Sequence, residues 1–143
     1  MKKLSAVLLV DDDPSTNFLN EATLYPMQLA DTILVAKNGR EAIELLQSDQ
    51  LRPTTEQPVL ILLDMAMPVM NGMDFLEAHG QLPAELQAAT AIVVLAVNMS
   101  SADLTRLNDY AIAGMVSKPL TTEKIQTVLR LHFPSHEALT GSR

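Results

Sequence analysis

Apolar residues fall into five short runs, at residues 6–10, 32–36, 59–63, 91–97 and 114–117. They are rich in Val, Leu and Ile, and three of them show no polar alternation, which is how strands covered on both faces read. Between and after these runs the pattern turns helical. Asp13 is placed to cap a helix with Pro14 in its first position, after which Phe18, Ala22 and Tyr25 share a face. Asn38 and Glu41 have capping-box spacing at the head of residues 39–47, and residues 73–79 form a shorter helical stretch. Ser100 and Asp103 repeat that spacing ahead of Leu104 and Leu107. Thr121 or Thr122 caps a last helix, in which Ile125, Val128, Leu129 and His132 sit at i, i+3, i+4 and i+7.

Five strands alternating with five helices predict an α/β fold: right-handed crossovers and an open, doubly wound parallel sheet. Residues 48–58 and 80–90 read as loose connections. The segment after Phe133 has no periodicity and reads as a tail, which sets the domain at residues 1–133 and the tail at 134–143.

Composition narrows the function classes. With 143 residues, 48% hydrophobic and 19% charged, the chain is sized for one core. A net charge of −7 speaks against nucleic acid or an anionic membrane as partner. There is no cysteine, hence no disulfide or thiolate metal site. The apolar stretch from Leu4 to Val10 runs directly into Asp11, Asp12 and Asp13 without a small-residue cleavage site, so it reads as a strand rather than a secretory signal. The expected location is cytoplasmic.

The chemistry lies where runs end. Ligands of open parallel sheets bind beyond the carboxyl ends of the strands, at the switch point of strand order. Asp11, Asp12 and Asp13 follow the first run, Asp64 follows the third, and Lys118 follows the fifth, ahead of Pro119, which admits a cis bond. If the first and third strands are neighbours, their carboxylates converge, and like charges so close repel unless a cation neutralises them. Carboxylate oxygens completed by water suit Mg²⁺. Taken singly, each element has a bland explanation: Asp13 is a cap, and a Lys-Pro pair means little. Their joint placement in the order acid, acid, base is what carries weight.

That order resembles the receiver (CheY-like) domains of two-component response regulators, over about residues 4–133. The matching stretches are V-L-L-V-D-D-D-P at 7–14, L-I-L-L-D-M-A-M-P-V-M-N-G at 60–72 and S-K-P-L at 117–120. The resemblance implies a flavodoxin-like sheet of order 2-1-3-4-5 and a stand-alone phosphoacceptor module. It implies Asp64 as the phosphoacceptor, Asp12 as the main acidic ligand of Mg²⁺, Asp11 in support, the backbone carbonyl of Ala66 completing the protein ligands, and Lys118 on the phosphoryl oxygens. Implied partners are a histidine kinase or phosphotransfer protein and a downstream protein target, with a homodimer as an option. The contact surface would lie on the helix around residues 101–108, the fifth strand and the last helix, where Arg106 and Lys124 supply charge.

Two positions depart from the family. Ala96 stands where the fourth strand usually ends in Ser or Thr, and Met115 where the fifth carries an aromatic ring. The acceptor groups are intact, but the hydroxyl and ring that usually relay phosphorylation are missing. A hydrogen bond to a charged phosphoryl group is worth about 1.5–3 kcal/mol. Two other readings therefore stand beside the first: a degenerate receiver that binds partners without phosphorylation, and a phosphohydrolase with an aspartyl nucleophile. The second is disfavoured because the general-acid position two residues past Asp64 is Ala66. Met65, Met67, Met70 and Met73 read as packing rather than a partner surface. His79, His132 and His136 show no ligand spacing, and Asn98 flanks the site.

Overall fold

Strands made of continuous Val, Leu and Ile are stable in water only if helices cover both faces of their sheet. The computed structural model describes residues 4–65, 67, 70–97 and 99–132 and shows that arrangement. Strands β1 (Ala6–Val10), β2 (Ile33–Ala36), β3 (Val59–Asp64), β4 (Thr90–Ala96) and β5 (Gly114–Ser117) form one sheet of order β2-β1-β3-β4-β5. Every pairing is parallel. The strand order reverses between β1 and β3, as the carboxylate argument required.

Alternate residues of β1, β3 and β4 feed two cores. Leu8, Val10, Ile61, Leu63, Ile92 and Val94 point to one face, where they meet Ala42 and Leu46 of α2 (Gly39–Leu46) and Phe75 and Leu76 of α3 (Gly72–His79). Leu107 of α5 (Ser101–Leu107) closes that side. On the opposite face Val7, Leu9, Leu60, Leu62, Val93 and Leu95 pack against Leu24 of α1 (Pro14–Leu24) and against Ile125 and Leu129 of α6 (Thr122–His132). The period of two along β1, β3 and β4 thus loads both faces with apolar side chains.

The expected caps are in place. Asp13 accepts from the Ser15 N–H, Asn38 from Glu41, Ser100 from Asp103, and Thr121 from Lys124. The Glu41 side chain differs from a reciprocal box, because it accepts from the Lys37 N–H, one residue further out. The complete capping box belongs to Asn71 and Asp74 at the head of α3.

Three features differ from the sequence reading. Six α-helices are present among the described residues instead of five: residues 80–90, expected to be loose, hold α4 (Ala84–Ala88), a single turn entered through Pro83 with no side-chain cap. A 3-10 turn, Tyr25–Met27, also follows α1. Finally, the face shared by Phe18, Ala22 and Tyr25 is the solvent face of α1, with Phe18 69% and Tyr25 77% exposed. The buried side carries Asn17, Asn20 and Leu24. Ala66, Asn98, the side chain of His132, and His136 with the tail 134–143 lie outside the described residues. Among the described residues no helix is long and apolar enough to cross a membrane.

Candidate functional site at the carboxyl edge of the sheet

Register brings the acidic residues together. Val10 of β1 pairs with Leu63 of β3, so Asp11 and Asp64, each one step further on, stand side by side at the carboxyl edge. Asp11 is held by its backbone: its N–H donates to the Ala36 carbonyl of β2, and its own carbonyl accepts from the buried Asn17 side chain at 2.9 Å. Asn17 is a site residue that sequence reading missed, because an asparagine inside an amphipathic helix signals nothing until its partner is known. Asp11 Oδ1 accepts from the Asp13 N–H at 2.9 Å, which leaves Oδ2 buried without a hydrogen-bond partner.

One oxygen each from Asp11, Asp12 and Asp64 fall within 4.8 Å of one another. Asp11 and Asp64 are buried and Asp12 is exposed. Burial pushes the Asp11 carboxyl above the usual carboxylate range, and the charges of Asp64 and Asp12 push the same way. The Asp13 N–H and the charge of Lys118 oppose them. At an effective dielectric of about 20, two such charges 4.8 Å apart repel by about 3 kcal/mol.

Lys118 is the counter-charge. Its Nζ donates to Asp64 Oδ1 at 2.9 Å and lies 3.8 Å from Asp11 Oδ2, an ion pair too long to be a hydrogen bond. Burial lowers its affinity for a proton, but the Asp64 hydrogen bond and the charges of Asp64, Asp11 and Asp12 more than reverse this, so its pKa is raised. The Lys118 N–H extends the β4–β5 ladder by donating to the Ala96 carbonyl. The Lys118–Pro119 bond is cis. Around this turn Lys124 Nζ donates to the carbonyls of Ser117 at 2.8 Å and Pro119 at 2.9 Å and to the Ser117 hydroxyl at 3.2 Å. Lys124, expected to supply charge to a partner surface, is a clamp on the segment that carries Lys118.

The loop after β3 is packed by glycine. The Gly72 N–H donates to the Met65 carbonyl at 3.1 Å, and a Cβ on Gly72 would lie 2.7 Å from Met65 Cα. A Cβ on Gly39 would lie 2.7 Å from Met70 Cγ. These contacts give the glycine of the 60–72 stretch a physical reason: the chain doubles back onto the residue after Asp64 and leaves no room for a side chain.

Ala96 ends β4 and Met115 lies in β5, paired with Val94 and 45% exposed. A cavity of about 360 Å³ opens beside the acids, lined by Asp64 and Lys118 together with Ala96, Val97, Asp103 and Arg106 among others. The structure thus brings Asp11, Asp12, Asp64, Lys118 and Ala96 to one edge. Met115 stands on the neighbouring strand.

Comparison with known proteins agrees with this geometry. The response regulator receiver domain family matches residues 7–130. The autoinducer 1 sensor kinase/phosphatase LuxN of Vibrio campbellii is 33% identical over 123 residues, which are 86% of this chain but 13% of LuxN. A response regulator receiver protein from Dyadobacter fermentans superposes with a TM-score of 0.76 at 25% identity, over 90% of this chain and 97% of that one. The receiver domain of the sensor histidine kinase PA1611 from Pseudomonas aeruginosa, solved with a magnesium ion coordinated in its active-site cleft, gives 0.71 at 19% identity over 97% of this chain and 99% of that one. With the sheet order, the acidic edge and the match over most of its length in agreement, this chain belongs to the response regulator receiver domain family.

Proposed function

We propose that this domain accepts a phosphoryl group on Asp64 with Mg²⁺ held beside it and passes the signal on through protein contacts. The observations that support this most are the cluster in which Asp11, Asp12 and Asp64 each place one carboxylate oxygen within 4.8 Å of the others, and the buried Asp11 Oδ2 that lacks a hydrogen-bond partner. A hard dication suits such a set, because it satisfies the orphaned oxygen and cancels the mutual repulsion. Asp11, Asp12 and Asp64 would hold it, with the Ala66 carbonyl as the fourth protein ligand by family resemblance. When bound, Mg²⁺ supplies charge neutralisation for an incoming phosphoryl group.

The remaining chemistry belongs to the chain. An Asp64 oxygen attacks the phosphorus of the donor, the bond from phosphorus to the donor breaks, and the leaving group departs with the electron pair. The product is an aspartyl phosphate. Lys118, already 2.9 Å from Asp64 Oδ1, transfers its hydrogen bond to a phosphoryl oxygen, and Lys124 keeps the turn that carries it in place. Nothing here needs a general acid when the leaving group comes with the donor, and the position where a phosphohydrolase would keep one is Ala66. Donors would be a histidine kinase or phosphotransfer protein, and a protein target would receive the signal. Incubation with a small phosphodonor and Mg²⁺, followed by peptide mapping, tests the assignment: the label should fall on the peptide that contains Asp64, and a label elsewhere would refute it.

A further inference from the structure

The cavity beside Asp64 has an uneven lining. Among the described residues its β4 side, made by Leu95, Ala96 and Val97 with Met99 beyond, offers no side-chain hydrogen-bond donor. Lys118 and Arg106 are its cationic side chains, and Asp64 and Asp103 its carboxylates. Lys118 is already engaged by Asp64 and Asp11. The guanidinium of Arg106, in the last turn of α5, makes no hydrogen bond or ion pair among the described residues. Side chains on a helix lean toward its N-terminus, and α5 begins at Ser101, five residues past the end of β4. The Arg106 stem therefore leans toward the carboxyl edge of the sheet.

We propose that Arg106 is a ligand of the phosphoryl group on Asp64 and takes the place of the hydroxyl that Ala96 lacks. The inference rests on Asp64 being the phosphoacceptor. Phosphorylation replaces one negative charge by nearly two and adds acceptor oxygens. Lys118 alone offers a point charge, whereas a guanidinium presents a planar fork that matches phosphate oxygens. Alanine at 96 leaves that side of the cavity open for it, and the Asp103 carboxylate keeps the pocket electrically balanced until the phosphoryl group arrives.

The test uses beryllofluoride with Mg²⁺ as the phosphoryl mimic, followed by fluorine NMR and titration calorimetry, on the natural chain, Arg106→Gln, Arg106→Lys, Ala96→Thr and the Ala96→Thr/Arg106→Gln double variant. Arg106→Gln should weaken mimic binding about tenfold, the scale of one charge-assisted hydrogen bond. Its affinity for Mg²⁺ alone and its thermal midpoint should stay as in the natural chain. Arg106→Lys should recover part of the loss, and Arg106→Gln should matter less in the Ala96→Thr background. Equal mimic affinity in the natural chain and Arg106→Gln overturns the role of Arg106 alone. A natural chain that binds no mimic in the presence of Mg²⁺ overturns the phosphoacceptor reading and the role of Arg106 with it.

Discussion

Lys118 donates to Asp64 at 2.9 Å from the far end of the sheet order, across 54 residues of sequence. This bond joins β5 to β3 over the end of β4 and offsets two buried carboxylates at once. Replacing Lys118 by Met should leave Asp11 and Asp64 facing each other without a counter-charge. The thermal stability without Mg²⁺ should fall by about 1–2 kcal/mol, a value discounted for the partial exposure of the lysine. Added Mg²⁺ should restore more stability to this variant than to the natural chain. Thermal melts with and without the metal check it, and an unchanged melt without metal would count against the bond as a stabilising element.

Asp11 should show the opposite trade. Its raised pKa means that the folded chain pays for ionising it. Asp11→Asn should therefore raise the thermal midpoint in chelator and reduce the rise produced by Mg²⁺. A site saturated one hundredfold over its Kd gains about 2.7 kcal/mol, and the loss of that gain is the signal to look for. Loss of stability in chelator would mean that Asp11 is held by favourable contacts and not strained by its neighbours.

Gly72 should not tolerate even a methyl group. A Cβ there would press on the Met65 side chain and also on the Met65 Cα at 2.7 Å, next to Asp64, and the backbone cannot yield as a flexible side chain can. Gly72→Ala should destabilise the domain by about 1–3 kcal/mol and slow phosphoryl uptake through displacement of the loop. Denaturant titration and the phosphorylation rate together check this, and Gly80→Ala, whose Cβ would meet ordinary contacts of 3.4 Å or more, serves as the control.

His79 supplies the pH dependence. Its Nε2 lies 2.7 Å from the Thr90 hydroxyl, which itself donates to the Gln87 carbonyl, so the hydroxyl accepts and His79 carries its proton on Nε2. Burial lowers the His79 pKa below 6.5. A histidine with a depressed folded pKa contributes stability that is full above its unfolded pKa and is lost as pH falls through 6.5 toward the folded value. The natural chain should lose stability between pH 7 and 5, and His79→Gln should flatten that slope, whatever its effect at neutral pH. Equal slopes in the two chains would show that another group titrates there.

How much of this was legible before the structure follows from where each signal sits. The strands were legible because their apolar runs leave no alternative burial, and with Asp11, Asp64 and Lys118 at their ends the convergence of these side chains on one edge followed. Helix α4 was not, because one turn entered through Pro83 shows neither period nor side-chain cap. Which face of α1 turns inward was not legible, because Phe18 and Tyr25 look like core residues, while Asn17 is drawn inside by the Asp11 carbonyl. Lys124 looked like a surface charge, since its three acceptors come together only when the turn after β5 is formed. Tertiary hydrogen bonds of this kind leave no trace in local pattern.

The central claim is that Asp64 is the phosphoacceptor and that Mg²⁺ is required. Its most direct test is the intact mass of the natural chain and of Asp64→Asn after exposure to a small phosphodonor, each with Mg²⁺ and with chelator. The natural chain should gain the mass of one phosphoryl group only when Mg²⁺ is present, and Asp64→Asn should gain none. A gain in Asp64→Asn, or an undiminished gain in chelator, would contradict the account.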